Sequence, residues 1–116
     1  MGMETMVTAA LAPLVGGRVF QDVHPSVTPR PCITFRVTGG TPLSFLDGSA
    51  PAREIVRVAV TTWGSTNLET AAIGKAAEAV LRAATALQTT VLSYRNPMID
   101  STTGAAITTQ EFEFFV

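Results

Sequence analysis

Residues 18–63 read RVFQDVHPSVTPRPCITFRVTGGTPLSFLDGSAPAREIVRVAVTTW, and the reading of this stretch decides the fold. From Cys32 onward, Ile33, Phe35 and Val37 alternate with Thr34, Arg36 and Thr38, the period of a half-buried strand. Over residues 54–63, Val56, Val58 and Val60 alternate with Ile55, Arg57, Ala59, Thr61 and Trp63, the strongest strand pattern in the chain. The two patterns are expected to pair antiparallel. Gly39, Gly40 and Pro42 end the first, and the loop over residues 41–52 carries Leu43, Phe45 and Leu46 beside the Asp47-Gly48 turn signal. Three large apolar side chains in a loop must either fold back over the core or be held for a partner. Ahead of the pair, residues 18–20 read as a brief strand. Pro25, Pro29 and Pro31 make residues 21–31 an extended loop or edge, because proline withholds an amide donor and pushes its predecessor into extended geometry.

Outward from this centre, Met6, Ala10, Leu11 and Leu14 at helical spacing predict a short helix over residues 4–14, stopped by Gly16-Gly17. Pro13 is able to end it early, near Ala12. After Trp63, Thr66-Asn67-Leu68-Glu69 fits a capping box, in which Thr66 accepts from the Glu69 amide and the Glu69 carboxylate reaches back to the Thr66 amide. A helix over residues 66–87 follows. Its dry stripe is Ile73, Ala77, Val80, Ala84 and Leu87, with Lys75, Glu78 and Arg82 opposite. A strand over residues 89–94 is expected to end at Asn96-Pro97, and residues 98–105 form a linker with a polar turn at 100–104. In the last strand, residues 107–116, Phe112, Phe114 and Val116 point inward, Glu111 and Glu113 outward, with Phe115 on the outward face. So apolar a strand must be paired, or covered by another chain. The expected fold is a single α+β domain over residues 1–116, a mainly antiparallel sheet of about four to five strands with one long and one short helix packed on it.

Composition narrows the function. At 116 residues the chain can bury roughly two-thirds of its unfolded surface without staples. Only 15% of residues are charged, against about one-quarter in ordinary soluble domains, which hints at association. Net charge is -1, and the arginines are scattered, so no basic stripe exists to bind nucleic acid. Cys32 is the sole cysteine, which suits a reducing cytoplasm and excludes an internal disulfide. The N-terminal apolar run, residues 6–15, is broken by Pro13 and falls well short of the roughly 20 residues a membrane span needs. Glu4 stands where a secretory signal would be positive, so no targeting segment or membrane association is expected.

Candidate chemistry is thin. Asp22, His24 and Ser26 alternate along one proline-rich segment, where neighbouring backbone keeps their functional atoms out of relay geometry, and His24 reads as a surface turn residue. Glu111 and Glu113 share a strand face, which is more simply a solvated face than a hydrolase pair. A lone histidine and a lone cysteine cannot complete a metal ligand set, and neither Gly16-Gly17 nor Gly39-Gly40 begins a phosphate or dinucleotide fingerprint. Cys32 reads as a small buried hydrophobe, and Trp63 as core ahead of an interface anchor. No catalytic residue, metal site or cofactor is expected.

The succession LAPLVGGRVFQDV, a proline-rich run into a strand, ITFRVTGGTPLSFLDGSAPARE, VRVAVTTW and an N-capped helix resembles the small tail-completion or tail-terminator proteins of long-tailed phages and prophages. The resemblance runs from about Leu11 to Trp63, with the helix agreeing in position. It implies a non-enzymatic virion subunit at the head-proximal end of the tail. Such a subunit forms a hexameric ring that halts tail-tube polymerisation and meets the head-completion or connector protein, while DNA passes through without being read. On that basis Leu43, Phe45, Leu46, Asp47, Phe114 and Phe115 are expected at interfaces with a neighbouring subunit or the tube protein. Glu111 and Glu113 are expected to face the lumen. Two alternatives stay open: a neck or head-completion adaptor ring, and a cytoplasmic dimeric ligand-binding α+β domain.

Overall fold

A computed structural model describes residues 3–22, 31–41, 54–99 and 104–116. Helix α1 (Met3–Leu11) passes into a 3-10 turn, Ala12–Leu14, with Pro13 inside it. The α-helix thus stops at Leu11, two residues before Pro13, whose ring would clash with the preceding turn. Met3, Val7 and Leu11 are its buried residues, and Met6, Ala10 and Leu14 pack at the margin, so the dry face is rotated from the expected one. Gly16 and Gly17, at φ +58° and +84°, turn the chain into strand β1 (Val19–Gln21) through left-handed backbone that L side chains resist.

Strands β2 (Cys32–Thr41) and β3 (Ile55–Gly64) pair antiparallel, as their alternation predicts. A bulge between Val37 and Gly39 shifts the register there. Val37, expected inward, keeps its register opposite Val58 on the helix side and is nevertheless 42% exposed. Gly40 is required at the pairing, because a Cβ on it would lie 2.5 Å from the Ile55 carbonyl oxygen.

Helix α2 (Asn67–Ala83) begins on Thr66, whose Oγ1 accepts from the Glu69 amide at 3.1 Å. The reciprocal half of the box differs from expectation, since the Glu69 carboxylate accepts from the Ser65 amide at 2.9 Å rather than from Thr66. The helix ends at Ala83, short of Leu87, although Leu87 is still fully buried. Gly74, Thr70, Ala77 and Leu81 form its buried line, with Ile73, Val80 and Ala84 at the margin.

The expected strand over residues 89–94 shrinks to β4 (Thr90–Val91), and Asn96-Pro97 opens a strand rather than ending one: β5 (Asn96–Ile99). Both lie along the same side of β6 (Ala106–Phe115), whose other side pairs antiparallel with β3. Among the described residues the sheet therefore has six strands in the order β1-β2-β3-β6-β4, with β5 beside β6, and of these only β1 runs parallel to its neighbour β2. The last strand, expected to be paired or covered by another chain, is paired on both sides as an inner strand of the sheet. Where β4 gives way to β5, the Ser93 hydroxyl replaces a ladder partner by accepting from the Glu111 amide at 3.0 Å, while the Leu92 amide donates to the Glu111 carbonyl at 2.9 Å.

One face of the sheet carries both helices. Ile33, Phe35, Val58, Val60, Phe112 and Phe114 meet Val7, Leu11, Ala77 and Leu81 there, and all fourteen members of this cluster are buried. The rings of Phe112 and Phe114 stack with centroids 6.3 Å apart. Towards the start of α2 the same interface turns polar. Thr108 Oγ1 donates to Thr70 Oγ1 at 2.9 Å, and Gln110 Nε2 donates to the Gly74 carbonyl at 3.0 Å, an approach that the missing Gly74 side chain permits.

Candidate assembly surfaces

Among the described residues no group of three or more His, Cys, Asp or Glu side chains could hold a metal ion, and no helix is long and apolar enough to cross a membrane. Asp22 closes β1 at φ 69°, whereas His24 and Ser26 lie outside the described residues. Two surfaces stand out instead.

The first is the sheet face turned away from the helices. Strand alternation places Thr34, Arg36, Arg57, Ala59, Thr61 and Trp63 there, together with Thr109, Glu111, Glu113 and Phe115. Arg57 stands opposite Glu113, and Ala59 opposite Glu111. Trp63 Nε1 donates to Thr34 Oγ1 at 3.1 Å, so the indole lies on this face rather than in the core beneath the helices. Glu111 and Glu113 are half-buried, as side chains standing in a row on a pleated surface are.

The second surface is a groove of about 370 Å³ between the first half of α2 and strand β5, lined by Leu68, Ala71, Ala72, Lys75, Tyr94, Arg95, Pro97 and Thr108. It exists because two elements part company. Thr70 and Gly74 hold α2 down on β6, which leaves Ala71 and Ala72 as a shallow outer flank, and the break between β4 and β5 throws Tyr94 out as the opposite wall. Leu68 is 83% and Tyr94 77% exposed, and Ile99, on the same face of β5 as Pro97, is 58% exposed. So much apolar side chain in water at one place marks a contact surface. The rim is cationic: Arg95 lies 4.6 Å over the Tyr94 ring, and its Nη1 is 3.8 Å from Glu78, which also faces Arg82 Nε at 3.5 Å. One carboxylate thus serves two guanidinium groups, with Lys75 close by on the helix.

The β5 edge is protected against strand addition. Glu111 directs both its amide and its carbonyl toward the β4–β5 side, so by alternation Thr109 and Ile107 do likewise, and their partners Asn96 and Met98 are the hydrogen-bonded positions. Pro97 and Ile99 then point their backbone groups outward. Pro97 has no amide to offer there, a placement typical of guarded edges.

Of the residues expected at interfaces, Phe114 is corrected: it is fully buried in the subunit's own core and offers nothing to a partner. Phe115 stands on the helix-free face. Leu43, Phe45, Leu46 and Asp47 lie outside the described residues. The groove was absent from the sequence reading. Its visible signal was Leu68, an apolar residue off the dry stripe of α2, together with Tyr94 and Ile99 in what read as strand end and linker.

Comparison with known proteins completes the picture. No curated protein matches the chain. A chain of a solved structure described as "Virion of native gene transfer agent (GTA) particle" shares the fold with a TM-score of 0.62 at 16% sequence identity, over 98% of this chain and 93% of that one. Residues 5–106 match the family described as "Tail completion protein gp17". That match covers most of the molecule, α1 through the start of β6, and the chain belongs to the tail completion protein gp17 family, a structural component of the phage virion tail.

Proposed function

We propose that this protein is a non-enzymatic subunit that caps the head-proximal end of the tail tube, terminates its polymerisation and forms the head–tail joining interface as a hexameric ring. The family match over residues 5–106 carries the reading. Its physical support is a chain poor in charge, at 15% charged residues, with an exposed apolar groove. Leu43, Phe45, Leu46, Asp47 and Phe115 contact a neighbouring subunit or the tube protein, and Glu111 and Glu113 line the lumen, where negative charge keeps transiting DNA from adhering. A contact between two unlike surfaces closes into a ring when its rotation permits.

The test is to add the purified chain to tail-tube protein during polymerisation and to image the products. Tubes of limited length bearing a ring at one end are expected, and Phe45→Ser with Leu46→Ser weakens the capping while circular dichroism of the subunit is unchanged. Binding to tailless heads without binding to tubes would overturn the assignment in favour of a neck adaptor. A compact dimer holding a small ligand would overturn it altogether.

A further inference from the structure

We propose that the α2–β5 groove receives residues 43–47, Leu-Ser-Phe-Leu-Asp, of the neighbouring copy of this chain, and that this is the head-to-tail contact of the ring; the inference rests on the ring reading above. Three observations converge on that occupant.

The first is chemical fit. The groove is walled by Leu68 and Tyr94, floored by Ala71 and Ala72, and rimmed by Lys75 and Arg95. Residues 43–47 bring three large apolar side chains followed by one carboxylate. Leu43, Phe45 and Leu46 match the walls and the shallow floor, and Asp47 matches the cationic rim, where Glu78 alone already faces two guanidinium groups.

The second is reach. Residues 42–53 leave from Thr41 and return to β3 at neighbouring positions, since Thr41 pairs with Ile55. Half of a twelve-residue excursion extends at most about 20 Å. The groove lies at the other end of the sheet, because its member Thr108 pairs with Thr62, seven residues along β3 from Ile55 and about 23 Å away at 3.3 Å per residue. It then lies farther still, beside α2. A chain therefore cannot fill its own groove with this segment, whereas a second copy can.

The third is polarity of placement. Segment and groove sit at opposite ends of β3 and β6, so joining one to the other is a heterologous contact of the kind that repeats around a ring. Pro97 on the open β5 edge withholds an amide from a strand added beside the groove, which favours side-chain docking there as the mode of contact.

Disulfide trapping tests this. Cys32 is buried, so it does not compete with the introduced thiols. Ser44→Cys and Ala72→Cys are placed in the full-length chain, together and singly, and each protein is oxidised free and on assembled tail tubes, then run on a denaturing gel without reductant. The double variant is expected to give a ladder up to the ring size, and each single variant to remain monomeric. A dimer band from Ala72→Cys alone means a two-fold, groove-to-groove contact and overturns the proposal. Rings that cap tubes yet yield no ladder also overturn it, leaving the ring reading intact. Tubes of uncontrolled length with no ring on them, for the unmodified chain as well, overturn the ring reading and the inference together.

Discussion

Replacing Thr62 by valine removes a hydroxyl that β3 presses against the helix layer with nothing to bond. Thr62 is fully buried, and its Oγ1 and the Oε1 of Gln110 are both buried without a hydrogen-bond partner among the described residues. The two side chains are diagonal neighbours on one face, since Thr62 pairs with Thr108 and Val60 with Gln110. Thr108 spends its one hydroxyl proton on Thr70 and so has none to donate to Thr62. Burying an unbonded hydroxyl costs about 1–3 kcal/mol, valine has nearly the same shape, and no hydrogen bond is lost in the exchange. Thr62→Val should therefore stabilise the fold by about 1–2 kcal/mol. With an unfolding entropy of roughly 2.1 cal/mol/K per residue, a chain of this length gains about 4 °C in Tm per kcal/mol, a rise of about 4–8 °C. Thermal and urea unfolding at one protein concentration measure it, with an unchanged urea m-value confirming that stability alone has moved. A loss of about 1 kcal/mol or more would refute the reasoning, because the hydroxyl would then be donating, with Gln110 Oε1 on the diagonal as one acceptor on that face. A double-mutant cycle with Gln110→Met separates the cases: independent sites couple negligibly, and a bonded pair couples by about 0.5–3 kcal/mol.

Other outcomes follow from the same geometry. Thr66→Ala removes the N-cap acceptor of α2 and should cost about 1 kcal/mol in urea unfolding. Phe114→Ala should cost about 3–5 kcal/mol, leaving the chain largely unfolded by circular dichroism, while Phe115→Ala leaves a cooperative melt; equal losses would contradict the core assignment of Phe114. Gly40→Ala drives a Cβ onto the Ile55 carbonyl and should cost about 1–3 kcal/mol, read as a lower urea midpoint.

Much of this fold was legible in the chain itself because strand and helix periods are local. Ile33 and Phe35, Val58 and Val60, Phe112 and Phe114 all face the helices as their alternation predicts, and Thr66 caps the helix it was expected to cap. The failures share a cause. Val37 faces the helix side opposite Val58 as its alternation predicts yet is 42% exposed, because period sets the face and not what covers it, and Glu69 takes the Ser65 amide because the incoming backbone presents that donor. Asn96-Pro97 reads as a break, yet an edge position beside β6 needs no amide from Pro97, so a strand forms there. None of these is encoded in a run of residues; each depends on which backbone lies alongside.

The same division holds for the candidate site. The residues of the apolar loop, Leu43, Phe45 and Leu46, drew attention from the sequence alone, because large apolar side chains between two strands demand an explanation. The groove did not, because Leu68 is far in the chain from Tyr94 and Pro97 and only the placing of β5 against β6 brings them to one rim. By itself, then, the sequence determined which residues are apolar, where strands and helices start, and that no catalytic or metal-binding set is spelled out in it. The tertiary structure decided that the final strand lies inside the sheet, that Phe114 belongs to the core, and that β4 and β5 divide one edge between them. Burial and strand neighbours are properties of pairings across the chain, and hydrophobic period says only which residues share a face, never what covers it.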